Sequence, residues 1–563
     1  MNSKLESILN SVFHKLGYET AVEVIKSKVD GVDFQCDNLF KLAKSYHKAP
    51  FMIGDEIIKE VKKIDNFDDY FKSVECVKPG FINICVSDKF INMTLNEIIE
   101  KDRFGISLDN DVIVLDYGGP NVAKPLHVGH LRTAIIGQAI NNILTFKGNK
   151  VISDVHLGDI GTQMGQVIYG IMEDFPDLSN VSITLDYLNK TYPKISSLCK
   201  EDEEVKKRCL KITKELQEQL LKGGGLYIDL WKKIYDISVS DIKRLYDYLG
   251  VKFDYWYGES DAFKYYDEMI PYMESKGIVK VDDGAKIINV SEDDDKINIP
   301  PLILQKSDGA YLYATSDLGT IWQREKEIHP DNIIYVVDAR QSLHFTQVFR
   351  AIKKSDFYNG KFEFCGYGTV NGNDNRPFKT RSGDAYKLDD LIEDVKKEFV
   401  SLREYNKNKS EEDLTKIVNS ILKFADLQND LTRNYIFDIK KFSEVNGKTG
   451  PYILYTYLRI NKLLSSESSK LSDIIYNEID RNLRLKLIDV PNIIDMAAYE
   501  RRPHYIANYL YELCVLSNNF YETNKINDMN DNVKCEIIYL LKFNNLVIET
   551  LLSLLGIYLP KEM

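Results

Sequence analysis

Short apolar runs and helical periodicities alternate along the middle of the chain. Residues 112–117 (VIVLDY) form an apolar run of the length and composition typical of a buried parallel strand. A helical period follows at 131–144, and the run at 150–161 predicts the start of the next strand. Because parallel strands need a crossover between them, this order predicts a βαβ unit. Sheet-like runs at 331–339 and 361–370 are predicted to complete an α/β domain with a parallel sheet.

Mostly helical patterns surround this sheet. A charged stretch at about 170–290 interrupts it and is far longer than an ordinary crossover, so we expect an inserted helical subdomain within a central domain of residues 106–390. Residues 1–105 mix helical segments with a β-like run and predict an additional N-terminal α/β domain. Helical periods then continue to the end, and they predict a connecting segment at 391–440 and an all-α bundle at 441–563.

Composition excludes several classes of protein. Of the 563 residues, 44% are hydrophobic and 28% are charged, and the net charge of −12 argues against indiscriminate nucleic-acid binding. The eight cysteines form no CxxC pair, so we expect no structural zinc and no disulfide framework. No uninterrupted apolar run approaches the ~20 residues of a membrane span, and the first helix is amphipathic and carries acids. We therefore expect a cytoplasmic protein that is not bound to a membrane.

The turn after the first central strand carries the main candidate chemistry. Residues 116–132 read DYGGPNVAKPLHVGHLR and place His127 and His130 where the strand gives way to a helix. The N-terminus of a helix presents unpaired N–H groups and a partial positive charge, which suit a polyphosphate. Gly129 has no Cβ and allows a flat group to approach the backbone. The absence of a GxGxxG motif after this strand argues against a dinucleotide dehydrogenase. The turn therefore predicts a nucleotide site.

The same stretch resembles a known family. The motif HVGH, with Asn121 and Lys124 upstream, resembles the "HIGH" signature of class I aminoacyl-tRNA synthetases. The longer string PNVAKPLHVGHLR, followed by GDIGTQ (158–163), resembles arginyl-tRNA synthetases in particular. The resemblance implies a Rossmann-like class I catalytic domain, an N-terminal domain that contacts tRNA and a C-terminal anticodon-binding bundle. The segment TGPYILYTYLRI (449–460) is similar to the start of that bundle.

The resemblance also implies a reaction. Arginine and ATP would form arginyl-adenylate and pyrophosphate, and a terminal ribose hydroxyl of tRNA(Arg) would then displace AMP. Little covalent work falls to side chains, because positioning and neutralisation of phosphates carry most of such a reaction. Mg²⁺ is expected to arrive with ATP, and we expect no metal bound by the protein itself. Residues expected at the ATP site are His127, Gly129, His130, Asp159, Gly161 and Gln163.

Arginine is a planar cation with five N–H donors, so its pocket needs carboxylates placed for bidentate pairing. Such a pocket rejects neutral isosteres, because its charge would be left buried and unpaired. By resemblance to the family, Glu259 and Asp317 face the guanidinium and Tyr313 packs beside it. Asn121 and Gln341 are expected to hold the α-amino and carboxylate ends.

One departure from the class I pattern concerns the second signature, KMSKS, whose lysines stabilise the leaving pyrophosphate. The corresponding segment here is RPFKTRSGDAYKL (376–388), which lacks that pattern but contains Lys379 and Arg381. In arginyl-tRNA synthetases a lysine just before the HIGH motif, here Lys124, is thought to supply the charge. The sequence leaves open which of these cations acts on pyrophosphate.

Two alternative functions remain at this point. One is an HxGH nucleotidylyltransferase that makes a small metabolite, although such chains are usually shorter and would leave the C-terminal bundle without a task. The other is a synthetase-like tRNA-binding or regulatory protein without ligase activity, against which the intact His127, His130, Asn121 and Asp317 argue. The leading prediction is a monomeric arginine–tRNA ligase with L-arginine, ATP and tRNA(Arg) as its partners.

Overall fold

The computed structural model describes residues 1–178, 182–372, 374–376, 378, 386–403, 410–465 and 467–563. Its strands, in chain order, are β1 (Ile25–Lys26), β2 (Phe34–Cys36), β3 (Phe71–Val77), β4 (Phe81–Val86), β5 (Val112–Tyr117), β6 (Lys150–Asp154), β7 (Val279–Asp282), β8 (Ala285–Ile288), β9 (Leu302–Gln305), β10 (Asn332–Asp338), β11 (Lys361–Tyr367), β12 (Val370–Asn371) and β13 (Tyr435–Ile436).

Helices make up most of the remaining structure. In chain order they are α1 (Asn2–Lys15), α2 (Leu39–Tyr46), α3 (Pro50–Val61), α4 (Phe67–Tyr70), α5 (Asp88–Glu100), α6 (Val128–Phe146), α7 (Thr162–Asp174), α8 (Leu185–Glu201), α9 (Glu203–Lys222), α10 (Leu226–Tyr248), α11 (Tyr266–Ser275), α12 (Tyr313–Glu327), α13 (Ser342–Ser355), α14 (Leu388–Arg403), α15 (Glu411–Leu427), α16 (Ile439–Ser443), α17 (Gly450–Asn461), α18 (Glu478–Ile488), α19 (Val490–Glu500), α20 (Pro503–Thr523) and α21 (Asp531–Leu554). Short 3-10 helices include Glu259–Tyr265 and Ala339–Gln341.

A parallel four-stranded sheet of order β11-β10-β5-β6 forms the centre of the middle region of the chain. Strand β5 is the apolar run predicted from the sequence, and residues 113–117 of it are buried. Helix α6 connects β5 to β6 and is buried along most of its length. The predicted βαβ unit and parallel sheet are therefore confirmed. Since all four strands run the same way, their carboxyl ends lie at one edge, where such sheets bind ligands.

The region inserted into the sheet is helical at its start, as the sequence predicts, with α7 to α10 in succession. It continues into the 3-10 helix Glu259–Tyr265 and α11, and then into an antiparallel sheet of β7, β8 and β9. The sequence pattern did not predict this small sheet. Strand β7 (VKVD) is largely exposed, so it lacks the apolar run that marks a buried strand.

The described residues form two compact units. One contains Met1–Ile106, Thr456–Ile493 and Tyr509–Thr550, and the other contains Ser107–Tyr455, Ile494–Asn508 and Leu551–Met563. The N-terminal domain and much of the helical bundle thus belong to the same unit. The domain limits expected at 105, 390 and 440 remain predictions.

Within the first unit, an antiparallel sheet of order β1-β2-β4-β3 packs against α3 and α4, and α3 in turn packs against α1 and α2. Helix α5 of the N-terminal domain packs against α18 of the bundle. At this contact Arg484 donates hydrogen bonds to both carboxylate oxygens of Asp480 and to Oδ1 of Asn92. Because Arg484 and Asp480 are fully buried, the pair depends on these partners to offset desolvation.

Among the described residues, α21 has the length and apolar composition of a membrane-crossing helix. Its most apolar window is 67% buried inside the protein, which is typical of a core helix in a bundle.

Candidate active site

Helix α6 begins with a cap built by the two histidines. Nδ1 of His127 accepts a hydrogen bond from the N–H of Gly129 at 3.1 Å, and Nδ1 of His130 accepts one from the N–H of His127 at 3.1 Å. Their ring centroids lie 3.9 Å apart. Because each Nδ1 is an acceptor, a neutral ring carries its proton on Nε2. Both Nε2–H groups are thus available as donors to a bound anion.

The surroundings favour the neutral form of both rings. Burial lowers the pKa of His127, and the charge of Lys124 lowers it further. Burial also lowers the pKa of His130 well below its usual value, with smaller contributions from His127 and Lys124. The ammonium of Lys124 lies 4.5 Å from the centre of the Tyr192 ring in α8. The motif therefore combines two neutral donors with one nearby cation.

The two motifs that carry the resemblance run side by side at this edge of the sheet. Asn121 and Gly158 form a parallel bridge, and the N–H of Val122 donates to the carbonyl of Gly158 at 2.9 Å. Gln163, in the first turn of α7, donates an Nε2 hydrogen bond to Oδ1 of Asn121 at 3.1 Å. The structure thus brings a predicted arginine-binding residue and a predicted ATP-binding residue into direct contact.

Asp159 and Gly161 lie close by in different environments. Asp159 is fully buried, and its carboxylate accepts hydrogen bonds from the backbone N–H and the hydroxyl of Ser260. Burial raises the pKa of Asp159 to about 6. Gly161 caps α7, and a Cβ there would lie 2.7 Å from the hydroxyl of Tyr313. The carboxylate of Asp159 fixes the Ser260 turn, and the role expected for it toward ATP remains a prediction.

Two acidic side chains lie near each other beside a cavity of about 340 Å³. Glu259 and Tyr313 line this cavity, whereas Asp317, one turn further along α12, does not. Burial raises the pKa of Glu259 well above its usual value, and the charges of Asp159 and Asp317 raise it further. None of the described residues forms an ion pair with Glu259. The site therefore contains two carboxyl groups and, among the described residues, no ion pair that would stabilise the charged form of Glu259.

Asp317 itself is held between two imidazoles. Nε2 of His344 in α13 lies 2.5 Å from Oδ2 of Asp317, and Nε2 of His156 lies 3.7 Å from Oδ1. Burial alone lowers the pKa of His344, but the hydrogen bond and charge of Asp317 outweigh burial and the pKa is raised. Gln341 is exposed at the end of the 3-10 helix before α13. The structure does not bring Gln341 into the cavity wall, and its predicted contact with arginine remains a prediction.

Arg324 forms a buried ion-pair cluster at the same carboxyl edge of the sheet. Nη2 of Arg324 donates to Oδ2 of Asp116 at 2.6 Å and to Oδ2 of Asp154 at 2.7 Å. Asp116, Asp154 and His156 have ligand atoms within 4.8 Å of one another, as a metal site would require. Because the guanidinium of Arg324 already pairs with both carboxylates, we interpret this cluster as a buried ion pair and not as a metal site.

The segment expected to replace KMSKS is described only at its edges. Lys379 and Arg381 lie outside the described residues. After them, the carbonyl of Tyr386 accepts a hydrogen bond from the N–H of Val128, and Lys387 forms an antiparallel bridge with His127. Tyr386 and Lys387 thus lie directly against the HVGH turn.

Sequence motifs alone did not predict roles for His344, His156 and Arg324. His344 follows Gln341 by three residues, and His156 lies two residues before GDIGTQ, so closeness to a motif was the available signal. Arg324 lies seven residues, about two helical turns, after Asp317. This spacing places Arg324 on the same side of α12 as Asp317. The pairing of Arg324 with Asp116 in β5 and Asp154 in β6 depends on tertiary packing.

A parallel sheet with an HVGH helix cap at its carboxyl edge, followed by a helical C-terminal region, defines a class I aminoacyl-tRNA synthetase. Family models agree: residues 94–439 match "tRNA synthetases class I (R), catalytic domain", residues 453–563 match the DALR anticodon-binding domain, and residues 1–86 match the arginyl-tRNA synthetase N-terminal domain. The chain belongs to the arginyl-tRNA synthetase family.

Individual relatives cover the whole chain. An arginine–tRNA ligase of Alkaliphilus oremlandii is 38% identical over 100% of this chain and 99% of that protein. One from Francisella tularensis subsp. holarctica is 39% identical over 99% of each. The solved arginyl-tRNA synthetases of Plasmodium falciparum and Thermus thermophilus share the fold, each with a TM-score of 0.81. The Plasmodium structure is 23% identical and covers 100% of this chain and 99% of its own. The Thermus structure is 19% identical and covers 100% of both chains. The predicted fold class and family are confirmed.

Proposed function

We propose that this chain joins L-arginine to tRNA(Arg) in two steps, with the residues at the carboxyl edge of the central sheet in the roles given below. Family membership confirms the predicted ATP-dependent arginine–tRNA ligase activity, and it does not favour a regulatory protein without activity. In the first step a carboxylate oxygen of arginine attacks the α-phosphorus of ATP, and the bond to pyrophosphate breaks. In the second step a ribose hydroxyl of tRNA attacks the adenylate carbonyl carbon, and AMP leaves.

The histidine cap is the proposed phosphate site. The Nε2–H groups of His127 and His130 donate to phosphate oxygens, and their neutral state means that they act as donors without a change of charge. Lys124 is the proposed counter-charge for the leaving pyrophosphate, because its ammonium already lowers the pKa of both rings. Lys379 and Arg381 remain further candidates for this charge. Gly129 and Gly161 leave room for the nucleotide at the starts of α6 and α7.

The acidic pair Glu259 and Asp317 is the proposed guanidinium site, and the buried, unbalanced carboxylate of Glu259 is the observation that carries this assignment. Among the described residues no cation pairs with Glu259; ionising such a buried carboxyl group costs free energy, which a bound guanidinium would recover. Tyr313 lies beside Glu259, and burial, with a smaller contribution from the charge of Glu259, raises the pKa of Tyr313 to about 12. Asn121, which Gln163 orients, is proposed to bind the backbone end of arginine, and Gln341 is proposed to assist it there.

Three further assignments complete the proposal. Mg²⁺ would enter with ATP, whose phosphates offer the oxygen ligands that it prefers, and would neutralise part of their charge. We propose that the enzyme acts as a monomer, since the residues assigned to ATP and arginine require no second copy of the chain. We place it in the cytoplasm, where a soluble translation enzyme meets its tRNA.

The test is ATP–pyrophosphate exchange and tRNA charging with each amino acid in the presence of tRNA(Arg). Arginine is expected to support both reactions. Lysine, a cation without a planar guanidinium, and citrulline, a neutral isostere, are expected to support neither. Efficient use of citrulline would refute the acidic pocket, and efficient use of another standard amino acid would refute the specificity.

A further inference from the structure

His344 is bound to one of the two carboxylates proposed to recognise arginine. Its Nε2 lies 2.5 Å from Oδ2 of Asp317, which is a short hydrogen bond to a carboxylate. Because an ionised carboxylate can only accept, Nε2 must carry the proton of this bond. The side chain of Asp317 is 15% exposed and that of His344 is 30% exposed, so solvent screens the contact only in part.

We propose that His344 is a positioning residue of the arginine site, which holds Asp317 in place and carries a second proton only while the guanidinium is absent. This inference rests on the proposed function, since it requires arginine to bind at Asp317. A carboxylate has about four lone-pair positions, so Asp317 can accept from His344 and still receive a guanidinium. The imidazole thereby fixes the plane in which the carboxylate meets its ligand.

The charge of the imidazole decides how strongly Asp317 attracts a cation. A neutral His344 donates from Nε2 and leaves the full negative charge on Asp317. A protonated His344 neutralises that charge and repels the guanidinium, whose charge is permanent. Arginine binding is therefore expected to lower the pKa of His344 and to release its second proton.

Other titratable groups face this pair from the surrounding elements. His156 approaches Oδ1 of Asp317 from the segment after β6, and Glu259 approaches from the 3-10 helix. Tyr335 in β10 also lies within electrostatic reach of Asp317. Arg340, next to α13, is mostly exposed and pairs with Asp338. Of these groups, Glu259 can also couple arginine binding to pH, so the test must follow the proton on His344 itself.

The direct test is NMR of the full-length enzyme labelled with ¹³C in the histidine Cε1 atoms. His344→Gln identifies the His344 signal by its loss. Saturating arginine is expected to move the titration midpoint of that signal to lower pH, whereas citrulline is expected to leave it in place. An unmoved midpoint in a wild-type enzyme that charges tRNA with arginine would overturn the inference. A wild-type enzyme without arginine-dependent charging would instead overturn the proposed function.

Kinetics provide a second readout. His344→Ala removes the donor to Asp317, so the KM for arginine is expected to rise about tenfold to a hundredfold while the KM for ATP stays the same. His344→Gln retains an amide donor without a titratable ring. It is expected to restore most of the lost affinity and to remove the part of the pH dependence of KM that His344 causes. Equal losses in the two variants, or equal changes in the KM for arginine and ATP, would assign His344 a purely structural role.

Discussion

Gln163 donates a hydrogen bond from Nε2 to Oδ1 of Asn121 at 3.1 Å, and this bond joins the two sequence motifs on which the resemblance to the family depends. The side chain of Gln163 is buried and also lies within 3.4 Å of the carbonyl of Gly158. The side-chain amide of Gln163 therefore orients Asn121, because it donates the hydrogen bond that Oδ1 of Asn121 accepts. The bond joins residues 42 positions apart and explains how the two short motifs act at one site.

Replacement of Gln163 by Leu is expected to weaken arginine use. The variant retains a side chain of similar size but leaves Oδ1 of Asn121 without its donor, which costs about 1–3 kcal/mol for a buried acceptor. We expect kcat/KM for arginine to fall about tenfold to a hundredfold in pyrophosphate exchange. Gln166→Leu, on the same helix, is the matched control and should leave this ratio unchanged. Unchanged kinetics in Gln163→Leu would show that Asn121 needs no orientation.

The neutral histidine cap predicts a specific effect of His130→Ala. This change removes an Nε2–H donor to phosphate and the Nδ1 acceptor for the N–H of His127. A hydrogen bond to a charged group contributes about 1.5–3 kcal/mol, so adenylate formation is expected to slow by about tenfold to a hundredfold or more. The KM for arginine should change little. Single-turnover measurements of adenylate formation provide the rate, and the exposed His329 gives His329→Ala as the control.

Removal of the charge of Glu259 tests the acidic pocket directly. Glu259→Gln keeps the size and hydrogen-bonding groups of the side chain but cannot neutralise a guanidinium. The KM for arginine is expected to rise at least tenfold, whereas the KM for ATP is expected to stay constant. Since burial and two nearby carboxylates raise the pKa of Glu259, the unliganded wild-type site is partly protonated at low pH. Arginine binding should therefore weaken in the wild type as pH falls, and this weakening should be smaller in Glu259→Gln.

Local patterns in the sequence were sufficient for much of the fold. The apolar run at 112–117 is strand β5 itself, and the helical period after it lies inside α6, because a buried strand leaves a continuous apolar run and a helix leaves a period of about 3.6 residues. Strand β7 left no such signal in the sequence, since an exposed four-residue strand has no apolar run.

The site was predictable only where a motif carried it. His127, His130 and Asn121 stand in motifs that resemble the family, whereas Arg324 lies in no motif. The pairing of Arg324 with Asp116 and Asp154 joins residues 208 and 170 positions apart. Such a pair depends on how α12 packs against β5 and β6, and no local pattern encodes that packing.

The buried Arg484 allows a test of the contact between the N-terminal domain and the bundle. Arg484→Met leaves the fully buried Asp480 without its partner, so the free energy of unfolding is expected to fall by about 3–5 kcal/mol. The double variant Arg484→Met with Asp480→Leu removes both charges and should recover most of this loss. Urea denaturation followed by circular dichroism measures both effects. No recovery in the double variant would show that packing, not the unpaired charge, is responsible.

Lys423 in α15 predicts how stability depends on pH. Its side chain is fully buried, its ammonium donates to the carbonyl of Gly556 and lies 5.6 Å from the centre of the Tyr558 ring, and burial lowers its pKa to about 7. In the unfolded chain a lysine has a pKa of about 10.4. Between these two values the unfolded state binds more protons than the folded state, so this residue makes the folded protein more stable as pH rises.

Lys423→Met is therefore expected to stabilise the protein most at and below pH 7, where the buried charge destabilises the wild type by a few kcal/mol. Loss of the hydrogen bond to Gly556 offsets about 1 kcal/mol of this gain. The advantage of the variant should shrink steadily as pH rises from 7 toward 10, because the wild-type amine becomes neutral in both states. Urea midpoints of the two proteins at pH 7 and pH 9.5 measure this difference. The control is Lys416→Met, on the same helix but paired with Glu412 at the surface, and it should show no such trend. A pH-independent difference for Lys423→Met would mean that Lys423 is charged in the folded protein throughout this range.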